Sequence, residues 1–279
     1  MLARVKSCAV LGVDAYPLLV EVDIHPGQYK FTMVGLADLA VKESRERVGS
    51  AIINSGFRFP RGVIVVSLAP ADVRKEGSAY DLPIAIGLLA ADGRVPGDML
   101  AHYAVAGELA LDGSLRPVEG ALTMTIAARE EGCKGIILPE ANAQEAGVVP
   151  GIEVIPVTTL SEACGFMSGR VEIMPYRTDI DDVIAQSQRD IPDLTDVKGQ
   201  AAVKRALTVA AAGGHNMLMI GPPGTGKTML AARLPGILPT MTFDEALETT
   251  RIYSVANGVK EKGKLIVQRP FRAPHHTST

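Results

Sequence analysis

Apolar and polar residues alternate through AVLGVDAYPLLVEVDI and again in KFTMVGL, predicting strand structure on both sides of the Pro26-Gly27 pair. The period then changes. In LADLAVKESRERVGSAIINSG the apolar residues Leu36, Leu39, Ala40, Val48 and Ile52 recur at helical spacing, and Gly56 closes the segment. RGVIVVSLAP reads as a short buried strand, and SAYDLPIAIGLLAADG as a helix that accommodates Pro83 in its first turn.

Farther along, AVAGELALDGSLRPV offers two short strands around Asp112-Gly113, a dipeptide that favours hairpin turns. EGALTMTIAAREEG predicts a third helix ending at Gly132, GIILP and IEVIPV predict strands, and TLSEACGFMSG a short final helix. This part is α/β or α+β with mixed strand directions. From Arg170 to Pro192 the apolar period disappears into YRTDIDDVIAQSQRDIPD, the composition of a linker. Helical spacing resumes in GQAAVKRALTVAAAGG, followed by the strand candidate NMLMIG, a glycine-rich loop and the helix candidate KTMLAARLPGIL. The expected organisation is a domain over 1–165, a linker over 166–195 and a second domain over 196–279.

Composition narrows the function classes. Hydrophobic residues make up 47% of the 279 positions and charged residues 21%, enough to bury a core. The longest apolar run, Leu82–Ala91, is far short of a membrane span. Arg4 and Lys6 precede SCAVLGV, but Asp14 cuts that run short, so a signal peptide is not expected and a cytoplasmic location is. Cys8, Cys133 and Cys164 lack metal-ligand spacing and read as reduced thiols. Aromatics are only 4%, which argues against base-stacking platforms. The net charge of −3 is unevenly spread. Residues 1–195 hold 17 Lys and Arg against 26 Asp and Glu, whereas residues 196–279 hold 11 against 5. The basic segment suits phosphates or nucleic acid, or is half of a larger balanced domain.

The chemistry is concentrated in one stretch. Gly221, Pro222, Pro223, Gly224, Thr225, Gly226, Lys227 and Thr228 fit the phosphate-loop pattern G-x-x-x-x-G-K-[ST] without deviation. Gly224 and Gly226 let the backbone curl so that N–H groups face a β-phosphate. Lys227 supplies a positive charge to the β- and γ-phosphates, and Thr228 a hydroxyl for Mg²⁺. ATP and Mg²⁺ are thus the expected ligands. Hydrolysis also needs an acid at the end of a second apolar strand. After Thr228 the acids are Asp244, Glu245, Glu248 and Glu261; FDEALETTRIYSV is helix-like, and KLIVQ ends in Gln268.

DVKGQAAVKRALTVAAAGGHNMLMIGPPGTGKTMLAARLPGILP together with RPFRAPHHTST resembles the start of the magnesium-chelatase-like AAA+ module of the YifB/ComM family. VKSCAVLGVDAYPLLVEVDI, VGLADLAVKESRERVGSAIINSGF and DLPIAIGLLAA resemble that family's Lon-protease-like domain. The resemblance implies a Lon-like α+β domain of the ribosomal S5 domain 2 type, followed by a partial phosphate-loop AAA+ α/β domain. It also implies that Val197, Gly199 and Gln200 line an adenine pocket. The parent would be a homohexameric, ATP-driven DNA remodelling or branch-migration helicase, used in competence. His275 and His276 lie in the family signature, where a structural role is expected. The sensors, arginine finger and lid of the module would lie beyond Thr279, so the chain reads as a fragment that binds ATP without hydrolysing it.

Lon proteases use a Ser-Lys pair. Aligned on Gly77, the nucleophile position of RKEGSAYD falls on Ala79, with Ser78 one residue early, and the base position falls on Leu122. Leucine accepts no proton, so proteolysis is not expected. Asp72, Arg74, Lys75 and Glu76 form a polar loop read as solvated. Two other readings stay open: a non-catalytic interaction module carried by the Lon-like domain, and a regulatory chelatase-like ATPase.

Overall fold

The computed structural model describes residues 1–35, 38–71, 73, 75, 77–179, 192–255 and 265–274. Asp72, Arg74, Glu76, His275, His276, Glu261 and residues 180–191 of the expected linker fall outside them. The described chain is mixed α/β. It divides into two compact units, with Met1–Thr178 and Arg251–Lys264 in the first and Asp179–Thr250 with Leu265–Thr279 in the second.

The first unit is built on β1 (Leu2–Leu11), β2 (Asp14–His25), β3 (Lys30–Val34), β4 (Val63–Ala69), β5 (Tyr103–Val105), β8 (Gly135–Pro139) and β9 (Glu153–Val157). These form one sheet in the order β3-β4-β2-β1-β5-β8-β9. The β4–β2 and β2–β1 ladders are antiparallel, and the other four are parallel. A separate small ladder pairs β6 (Glu108–Leu109) with β7 (Leu115–Arg116). It closes over Asp112-Gly113, as the dipeptide predicts, with Gly113 at φ +87°.

AVLGVDAYPLLVEVDI, read above as a single strand candidate, is a hairpin. Gly12, at φ +62°, turns the chain so that Leu11 pairs with Asp14. The apolar alternation runs through this tight turn, which conceals it in the sequence.

Helices α1 (Leu39–Asn54), α2 (Asp81–Ala91) and α5 (Leu160–Met167) share a core with one face of the sheet. Val5 and Ala9 of β1, Val20 and Val22 of β2, and Ile64, Val66 and Leu68 of β4 lie in that core. Every residue of α2 is buried, which explains its unbroken apolar run. Gly87 brings this helix closest to the sheet: a Cβ there would lie 2.7 Å from Val22 Cγ2. Helix α3 (Ala121–Glu130) packs on β1, β2 and β8 and contacts α4 (Ala143–Ala146). Thr159 caps α5 by accepting a hydrogen bond from Glu162 N at 3.2 Å. Cys8, Cys133 and Cys164 are all buried and free.

Asp81 opens α2 with no solvent exposure. It accepts hydrogen bonds from Ser44 Oγ at 2.5 Å, Arg47 Nε at 2.8 Å and Leu109 N at 3.3 Å. One carboxylate thereby ties α1, α2 and β6 together. Burial raises its pKa, against the lowering effect of Arg47 and Ser44.

The second unit holds α6 (Ala201–Gly213), α7 (Lys227–Ala231), α8 (Leu234–Ile237) and α9 (Phe243–Val255) as far as Thr250. Leu194, Val197, Leu207 and Leu230 form its core cluster, with Val203, Met219, Leu234 and Ile237 packed against them. Among its described residues there is no strand. The strand expected at NMLMIG is an extended segment without ladder partners, in which Leu218 is 82% and Ile220 87% exposed. An apolar run becomes a strand only when neighbours take up its hydrogen bonds. The helix expected over KTMLAARLPGIL is two pieces, because Pro235 carries no N–H and sits in the first turn of α8.

Among the described residues, no helix is long and apolar enough to cross a membrane.

Candidate phosphate-binding site

The glycine-rich loop Gly221–Gly226 leads directly into α7. Gly224 and Gly226 have φ of +80° and +81°, the left-handed region where a side chain is strained. Gly226 is the residue before the helix, and a Cβ there would approach Met229 Cε at 3.2 Å. The conformational requirement read from the motif is therefore present at both positions.

Lys227 Nζ donates to the carbonyls of Gly221 and Pro222, both at 2.8 Å, so its ammonium lies over the loop it follows. Thr225 Oγ1 donates to Pro222 O at 2.9 Å and closes the loop from within. Thr228 is exposed in the first turn of α7. With only five residues in α7, the charge available to an anion comes chiefly from Lys227 and the loop N–H groups.

The DVKGQ segment is joined to this loop. Gln200 Nε2 donates to Thr225 O at 3.2 Å. Gln200 precedes α6 at φ +53°, the described non-glycine residue with positive φ, and Gly199 before it lies at φ +71°. Val197 is buried with Leu230 of α7 in the core of the unit, and it is not an exposed wall. Gln200, Thr225 and Lys227 are thus brought together, whereas Val197 packs in the core cluster with Leu194, Leu207 and Leu230.

Two supporting residues carry no motif signal. Lys204 Nζ donates to Val197 O. Arg233 donates to Asp193 O at 3.1 Å and to Met229 O at 2.9 Å, linking the stretch before DVKGQ to α7. Lys204 in the first turn of α6 and Arg233 in the turn between α7 and α8 read in sequence as ordinary solvated positions, so only the structure identifies these.

Of the acids after Thr228, three are among the described residues. Asp244, Glu245 and Glu248 are on α9. Glu245 accepts from Thr242 N at 2.9 Å and from Arg269 at 3.1 Å, and the Thr242 bond holds its carboxyl below the usual range. Among the described residues no three His, Cys, Asp or Glu cluster as a metal site.

In the first unit, Gly77, Ser78, Ala79, Glu108 and Gly120 line a cavity of about 430 Å³. This is where the Lon resemblance locates a nucleophile. Ala79 occupies that position, Ser78 donates instead to Glu108 Oε2, and Leu122 is fully buried. Among the described residues that line the cavity there is no lysine.

Comparison with known proteins agrees with both units. Residues 20–142 match the family model described as subunit ChlI of Mg-chelatase, and residues 193–279 match that of magnesium chelatase, subunit ChlI. Across the whole chain it is 47% identical to the uncharacterized protein YifB of Escherichia coli and 44% identical to the competence protein ComM of Haemophilus influenzae. The chain spans 54% of the length of each. Over 57% of its length it is also 31% identical to Lon protease 2 of Bacillus subtilis, covering 31% of that protein. With these full-chain likenesses, and a mixed sheet in which the Lon-like segment lies, the chain belongs to the YifB/ComM family of magnesium-chelatase-like proteins.

Proposed function

We propose that the second unit binds ATP with Mg²⁺ through Gly221–Thr228, and that the parent protein uses this nucleotide as a homohexameric AAA+ ring to remodel DNA. The carrying observation is the joined geometry of Gly224, Gly226, Lys227 and Gln200 around one loop. That geometry fits a phosphate group. The left-handed glycines turn N–H groups to a common side, and Lys227 can exchange two carbonyl partners for phosphate oxygens. Thr228 would give Mg²⁺ one oxygen, with the phosphates supplying others. The DNA part of the reading rests on the competence protein among its relatives. These 279 residues hold nucleotide without hydrolysing it, because Asp244, Glu245 and Glu248 lie on a helix and none ends a strand beside the loop.

Titration calorimetry of the chain with ATP and Mg²⁺, beside Lys227→Ala, tests the site. Saturable binding that the substitution abolishes is expected, with phosphate release at the buffer rate in both. Turnover that disappears with Lys227→Ala would overturn the non-hydrolytic assignment, and equal binding by both chains would overturn the site.

A second reading, a non-catalytic assembly module carried by the first unit, is favoured by the contrast between cores. The first unit buries three helices against a seven-stranded sheet, whereas the second has a core cluster of four buried residues. Rapid proteolysis beyond residue 195, unchanged by ATP, would support it. A regulatory chelatase-like ATPase ranks last, since no described cluster suits metal handling.

A further inference from the structure

The aromatic residues are few but not scattered. Tyr29 and Phe59 meet edge to face with centroids 6.4 Å apart, at the margin of the sheet formed by β3. The guanidinium of Arg45, from α1, lies 5.9 Å from the Tyr29 ring and 5.7 Å from that of Phe31. Lys30 N donates to Gly62 O at 3.2 Å and Lys30 pairs with Val63, so YKF runs beside the residues that directly follow FRFPR. In both segments cations alternate with aromatics. Lys30, Arg58 and Arg61 are exposed, and neither His25–Gly35 nor Ser55–Val63 contains an acid. Glu46, 83% exposed, lies 3.5 Å from Arg45, and Asp23 is engaged by His25 at 3.0 Å. Such a cationic surface runs against the acidic balance of residues 1–195.

We propose that this β3 margin is a contact surface for single-stranded DNA. Lys30, Arg58 and Arg61 face the phosphates as mobile, hydrated charges, and Tyr29, 51% exposed, offers a ring to an unpaired base. Phe59 and Arg45 brace that ring, so stacking orders little that is not already ordered. A single strand fits better than a duplex, whose paired bases present no free face. The choice of DNA over RNA rests on the proposed function; the surface itself does not.

Anisotropy of a labelled oligothymidylate, with the 279-residue chain and no nucleotide present, tests the surface. Relative to the unmodified chain, Arg58→Glu with Arg61→Glu should weaken binding by on the order of tenfold and reduce the salt slope by about 1.4, roughly 0.7 per lost phosphate contact. Tyr29→Ala should cost about tenfold, and Tyr29→Phe should retain affinity. Arg94→Glu should bind as the parent does. Circular dichroism confirms that each variant is folded. Binding unaffected by the β3 substitutions, equally weakened by Arg94→Glu, or tighter for duplex or for the matching RNA would overturn the inference. ATP binding with no β3-dependent DNA binding sinks this inference alone, and the converse sinks the proposed nucleotide site alone.

Discussion

The side-chain amide of Gln200 holds the carbonyl of Thr225 at 3.2 Å. A residue in left-handed conformation ahead of α6 thus grips the middle of the phosphate loop, 25 residues away in sequence. Removing that grip frees the loop without touching the core. Gln200→Ala should weaken ATP binding by several-fold, the worth of about 1 kcal/mol for one hydrogen bond, and leave the melting temperature within a degree or so. Calorimetry beside thermal melting separates the two effects; unchanged affinity would remove Gln200 from the site.

Gly226 tests the loop conformation directly. At φ +81°, with Met229 Cε 3.2 Å from a Cβ, alanine there is strained by about 1–2 kcal/mol. Gly226→Ala should reduce ATP affinity more than tenfold, whereas Gly214→Ala, whose Cβ would meet nothing within 4 Å, should leave affinity unchanged. Similar affinity loss in both would show that the effect is general destabilisation.

Asp81 is one of three buried charged residues among the described residues of the first unit, with Lys75 and Glu145. Asp81→Ala leaves Arg47 facing a cavity and should lower stability by about 3–5 kcal/mol in urea unfolding followed by a first-unit probe. Combining Asp81→Leu with Arg47→Met should recover much of that loss, because no buried charge is then left unpaired. A double variant no better than Asp81→Ala would show that the Ser44 and Leu109 hydrogen bonds dominate.

The buried thiols make an alkaline prediction. Burial pushes Cys8 and Cys164 from 9.0 to about 12. The folded state therefore binds these protons more tightly than the unfolded chain does. Their contribution is fully present below pH 9 and declines between pH 9 and about 12, by about 1.4 kcal/mol per pH unit for each thiol. Denaturation midpoints across that range should fall less steeply in Cys8→Ala with Cys164→Ala. Equal slopes would refute the assignment.

Some of this architecture is plain in the residues. The run Leu82–Ala91 announces a buried helix, Asp112-Gly113 announces its turn, and GPPGTGKT announces left-handed glycines before a helix. Each is a local signal with a local cause. What escapes depends on partners. The Gly12 turn is hidden because Leu11 and Val13 continue an apolar alternation, and Met217–Ile220 looks like a strand although no neighbour supplies a ladder. The Gln200 contact has no sequence signature beyond the family resemblance, since it depends on a left-handed backbone and a distant carbonyl. The aromatics of YKF and FRFPR count for little by number and matter by convergence.

The order of strands also carries a kinetic consequence. β1, made well before β5, lies inside the sheet between β2 and β5. Its hairpin with β2 closes locally, but the other edge waits for Ala104, which pairs with Lys6 across nearly a hundred residues. Closing so long a loop is slow relative to hairpin formation. During synthesis the nascent hairpin therefore carries an apolar, unpaired flank until β5 emerges, and that interval is when a chaperone or an unwanted strand has its opportunity.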